Sequence, residues 1–138
     1  MNTLRLVGIL LVLSVSGDAH GAPGTDKPPS DKVRKLQQER VKALEEVSES
    51  IMERVKIGKD SLHALITLLS ELTEARLEVA DTEADAIKAL TTSLELHRKI
   101  EEQLQEMYEA GLETKVGVRQ IRAARLKVEI QLEKRKAR

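Results

Sequence analysis

The chain has 138 residues with no Trp, Phe or Cys and a single Tyr, and 33% of its residues are charged. Without large rings a thick globular core is not expected, and without Cys there are no disulfides, no thiolate chemistry and no lipid-accepting Cys of a bacterial lipoprotein signal. The 23 basic and 23 acidic residues cancel, which leaves no long-range field for nucleic acid or an anionic membrane, so neither is an expected partner.

Arg5 supplies a positive start, Leu6 to Val15 a short apolar run, and Gly17, Ala19, Gly21 and Ala22 the small residues of a cleavage region. This pattern predicts a secretory signal peptide over residues 1–22, cut after Ala19 or Ala22. The apolar run is well short of the roughly 20 residues that span a bilayer. No second one follows, so the product is expected to be exported, periplasmic and without a transmembrane segment. Residues 23–30, rich in Gly and Pro, read as a flexible leader. Ser30 is placed as an N-cap, because its hydroxyl can accept from an unpaired amide of the first turn.

A helical domain is predicted over 31–138. Leu44, Val47, Ile51, Val55, Gly58, Leu62, Leu65, Leu69 and Leu72 recur at spacings of three and four, which lines them up on one helical stripe. Strict alternation is absent, so strands are not expected. The segment Ala80 to Asp85, between the two seams, has no large apolar residue, with Thr82 able to cap a new helix and Asp85 in the place of a capping-box acid. It reads as a hairpin turn, the alternative being one uninterrupted helix. Leu104, Met107, Gly111, Thr114, Val118, Ile121, Val128 and Leu132 then form a second seam, with Arg125 intervening. The outer faces are expected to carry the charges. The fold class is therefore all-α, built from antiparallel coiled-coil hairpins.

An internal repeat divides the domain into halves at about 31–80 and 82–136. Val41-Lys-Ala-Leu44 recurs as Ile87-Lys-Ala-Leu90, Gly58-Lys-Asp-Ser61 as Gly111-Leu-Glu-Thr114, and Ala75-Arg-Leu-Glu-Val79 as Ala124-Arg-Leu-Lys-Val128. In the Gly-x-x-Ser/Thr element, Gly58 and Gly111 can end one helix in the left-handed conformation while Ser61 and Thr114 cap the next. Each half then holds two helices joined by a short kink. The other reading is a glycine at a seam where two backbones approach closely.

Met107-Tyr108-Glu-Ala-Gly111-Leu-Glu-Thr114 followed by Ile121-Arg-Ala-Ala-Arg-Leu126 resembles the repeat of the TolC-like outer-membrane efflux family. Val55-Lys-Ile-Gly58-Lys-Asp-Ser61, leading to Glu74-Ala-Arg-Leu77, looks like a degenerate first copy, Val standing for the Tyr. The resemblance covers Val41 to Leu132 and implies a periplasmic helical hairpin, with Ala and Leu on its inner face. In that family such hairpins form a trimeric tunnel served by a pump and an adaptor. The chain departs from it in having no alternating segments for membrane-spanning β-strands, so the implied efflux role is accessory.

No serine lies in a nucleophile elbow or at a diagnostic distance from a His, and neither a Walker loop nor a GxGxxG fingerprint occurs. An enzyme is not expected, nor a cofactor. Asp60 with His63, or His97 with Glu101, would offer only two ligands each, where a metal site needs three or four. His97, spaced with Leu90 and Leu94, is expected to be partly buried and hydrogen-bonded. The basic tail of Lys134, Arg135, Lys136 and Arg138 suits the negative end of the last helix, or else anionic lipid or an acidic partner. The functional expectation is a non-catalytic envelope protein that binds another helical envelope protein or a second copy of itself. Its expected interaction seam is Leu62, Leu65, Leu69, Leu72, Leu104, Met107, Val118 and Ile121. A metal-responsive binding module and a periplasmic chaperone are the alternatives.

Overall fold

A computed structural model describes residues 29–138; the expected signal peptide and nearly all of the expected leader lie outside them. The described residues form four helices and no strand: α1 Asp31–Lys56, α2 Leu62–Glu78, α3 Glu83–Glu109 and α4 Lys115–Lys136. Each begins at a residue whose short oxygen side chain closes the first turn. The amides of Val33, Ala64, Asp85 and Gly117 donate to the side-chain oxygens of Ser30, Ser61, Thr82 and Thr114, replacing bonds that the first turn of a helix cannot make internally.

α1 and α2 form one antiparallel hairpin and α3 and α4 another. Arg34 pairs with Asp81 and Arg40 with Glu78 across the first, and Arg98 pairs with Glu129 across the second. α2 also packs on α3, and more lightly on α4. The chain thus runs up, down, up, down, with both hairpin tips at one end. The first turns of α2 and α4 meet there: a Cβ added at Gly117 would run into the Glu113 carboxylate and the Leu62 side chain. The α2–α3 turn expected at Ala80 to Asp85 is present, with helix resuming at Glu83. Thr82 Oγ1 accepts from the Asp85 amide at 3.1 Å and donates to the Asp85 carboxylate at 2.6 Å, so the acid answers the cap hydroxyl.

The core has two parts. Near the tips, Met52 and Val55 of α1 meet Leu65 and Leu69 of α2, Ile100 and Leu104 of α3, and Val118 and Ile121 of α4. Toward the other end, Leu90, Leu94, Val128 and Leu132 pack with Leu77 and Ile87, and α1 contributes nothing. Each fully buried aliphatic side chain contributes roughly 1.5–3 kcal/mol, so the tip half, where four helices converge, is held more firmly. α1 leaves Val33, Leu36 and Val47 exposed. Val47 thus departs from the expected stripe. α1 turns Ser48, Met52 and Val55 inward, and Ser48 Oγ satisfies itself on the Glu45 carbonyl at 2.8 Å.

Candidate functional site

The two Gly-x-x-Ser/Thr elements are built alike. Gly58 and Gly111 have φ of +69° and +74°, a region in which side chains other than glycine are strained. At the first break the Gly58 amide donates to the Val55 carbonyl at 3.0 Å and Lys59 to Arg54 at 2.8 Å; at the second, Gly111 donates to Tyr108 at 3.0 Å and Leu112 to Met107 at 2.8 Å. This paired bonding is the Schellman arrangement, which satisfies the orphan carbonyls of a helix end. Ser61 and Thr114, three residues on, open the next helices. The breaks are full reversals of direction, sharper than the short kinks expected. Neither glycine marks a close approach, since nothing lies within 4 Å of a Cβ added at either. Close approach belongs instead to Gly117, buried three residues after Thr114. The tips leave Ile57 at 64% and Leu112 at 70% exposure, the two most exposed large apolar side chains among the described residues.

The eight seam residues are spent inside the chain. Leu65, Leu69, Leu72, Leu104, Val118 and Ile121 are buried, and Leu62 and Met107 are half-buried against them. A surface for a partner has to lie elsewhere. Leu126, which the family resemblance places on an inner face, points outward.

Polar bridges that the sequence pattern did not reveal tie the helices together. Arg76 on α2 donates to Glu45 on α1 at 2.8 Å and to Ser93 on α3 at 3.2 Å, bridging three helices. Glu101 on α3 accepts from Arg122 at 2.7 Å and Arg125 at 2.5 Å, both on α4. Burial pushes the Glu101 carboxyl up, and the hydrogen bonds and charges of the two arginines more than offset this, leaving it below its ordinary value. Arg76 and Arg125 occupy matching places in the repeated Ala-Arg-Leu elements, and each reaches a glutamate on the first helix of its own hairpin. That repeated arginine was the available signal.

His97 is 2% exposed. Its Nδ1–H donates to the Ser93 carbonyl at 2.7 Å, as the seam-like spacing led one to expect. Burial lowers its pKa; the bond to Ser93 opposes this, and the charge of Arg76 adds to the lowering. His63 is exposed on α2. Asp60 is engaged by Arg54, and Glu101 by its two arginines, so neither carboxylate is free beside its histidine. Among the described residues no group of three or more His, Asp or Glu side chains is placed to hold a metal ion. A groove of about 450 Å³ is lined by Arg98, Glu101, Glu102, Gln105, Glu106 and Arg122. In the basic tail, Arg135 pairs with Glu83 and Lys136 with Glu133.

Comparison with known proteins finds no match: no family model, no curated protein and no solved structure corresponds to this chain.

Proposed function

We propose that this chain is a non-catalytic, exported helical-hairpin protein that works through protein–protein contact in the cell envelope, in the periplasm, as an accessory to TolC-like efflux. One observation carries the reading: two hairpin tips of the same cap chemistry lie at one end of the bundle, each with a large apolar side chain, Ile57 or Leu112, turned to solvent. Exposed apolar groups on rigid, capped turns are suited to docking, since little ordering is needed when a partner covers them. The partner is another helical envelope protein or a second copy of the chain. The signal-like start and the resemblance of the Tyr108 to Thr114 segment to efflux-family hairpins support the setting.

Photocrosslinking in living cells from a reactive residue at position 57 or 112, combined with fractionation, tests this. The expected result is a processed chain in the envelope fraction, crosslinked from both tips to a helical envelope protein or to itself. An unprocessed cytosolic chain, or a folded envelope chain whose tips crosslink to nothing, would overturn the proposal.

A further inference from the structure

The zero net charge hides a segregation between helices. α4 carries eight basic against two acidic residues, while its neighbour α3 carries seven acidic against three basic. Whole-chain balance therefore does not describe what α4 presents to a surface. Glu129 is drawn to the α3 side by Arg98 and Arg125, and Glu133 is engaged by Lys136. Among the described residues, Lys115, Arg119, Lys127 and Lys134 are in no ion pair.

α4 also has a second apolar stripe. Its buried side is Gly117, Val118, Ile121, Val128 and Leu132. At 100° per residue, Val116, Ala123, Leu126 and Ile130 fall on the opposite side. Val116 is 62%, Leu126 43% and Ile130 55% exposed, on an outer face that was expected to carry the charges. Over roughly 20 Å of helix this stripe is interrupted by Arg119 and flanked by Lys115, Lys127 and Lys134.

We propose that the outer face of α4 is a docking surface for an anionic lipid bilayer, lying in the plane of the membrane with Val116, Leu126 and Ile130 inserted at the headgroup boundary. Charge complementarity identifies the occupant. A second copy set α4 against α4 would bring two rows of unpaired cations together, a costly juxtaposition. The outer face of α3 is of mixed charge, with Lys88 and Lys99 among Glu95, Glu102 and Glu106, and offers no large aliphatic side chain to cover the stripe. A bilayer supplies both requirements at once, phosphate charge for the flanking cations and an apolar layer beneath for the stripe. The face is the convex side of a single helix, suited to a plane. Long Lys and Arg stems can lie along the boundary while their charges stay among the headgroups. No helix of the described residues is long and apolar enough to cross a membrane, so contact here would be peripheral.

The absence of Cys permits a site-specific test in the full chain that the apolar run Leu6 to Val15 cannot mimic. Ala123→Cys on the stripe and Ala43→Cys on exposed α1 are each labelled with an environment-sensitive fluorophore. Both are mixed with vesicles of phosphatidylcholine, with or without phosphatidylglycerol. The expected result is a blue shift and shielding from an aqueous quencher at position 123 only, with phosphatidylglycerol only, weakening as salt rises. Adding Arg119→Gln, Lys127→Gln and Lys134→Gln should weaken the response on the order of 100-fold. These are exposed positions, and an unchanged helical circular dichroism spectrum will show that the fold survives. The proposal is overturned by no shielding at 123, equal shielding at both positions, or an equal response to phosphatidylcholine alone. Shielding that appears without vesicles on raising protein concentration, or only with an acidic helical peptide, overturns it as well.

Discussion

His97 sits between a carbonyl that favours its protonated form and a buried setting, with Arg76 nearby, that favours the neutral one; the neutral form prevails. Its folded-state pKa lies below the ordinary value of 6.5, so on acidification the unfolded chain takes up this proton first. The stabilisation is complete above about pH 6.5 and is lost as pH falls from there through the folded-state pKa. Glu101, also lowered, acts in a separate window below its ordinary 4.5. Urea unfolding of the wild-type chain and of His97→Gln between neutral pH and pH of about 5 separates the two. Stability of the wild type should decline across that interval and that of the variant should be nearly flat, whatever its absolute value. Parallel slopes would mean that another group is responsible. The spacing of His97 with Leu90 and Leu94 was enough to place it inward. The Arg76 bridge was not legible, because it depends on which faces of α1 and α3 meet α2.

Helix ends were the most legible elements, because a cap and its amide lie three residues apart and need no distant partner. Ser30, Ser61, Thr82 and Thr114 all act as their local chemistry implies. Gly58 and Gly111 should each cost about 1–2 kcal/mol when replaced by Ala. Open space around the added Cβ means that the cost comes from backbone conformation alone. Gly→Asn at the same sites should recover part of it, since Asn tolerates the left-handed region. Thermal unfolding measures this, and an unchanged midpoint for both Ala variants would refute the assigned turn. Which side of a helix is buried was harder to read. Val47 and Leu126 have seam-like neighbours but point outward, because α1 is gripped along Ser48, Met52 and Val55, and α4 along the face that meets α3 and α2. A helix with two apolar stripes, as in α4, does not announce which one its own chain will cover.

Across the whole molecule the grip is uneven. Four helices share the core at the tips, and three share it at the other end. Amides of α1 from about Arg34 to Leu44 should therefore exchange with deuterium faster than those around Leu90 to Leu104 in α3, since local opening of that half exposes few buried apolar groups. Equal protection would imply a further partner along α1. The repeat and its two breaks made the four-helix division readable, but whether each break was a kink or a reversal depended on tertiary packing. Reversal is the claim on which the hairpins, the shared tips and the outward face of α4 all rest. It is tested most directly by the distance between spin labels at Ala43→Cys and Glu74→Cys, exposed positions on α1 and α2. Adjacent antiparallel helices, with axes about 10 Å apart, should give a label separation under roughly 25 Å, whereas one rod running through Gly58 would place the labels about 45 Å apart and contradict the fold.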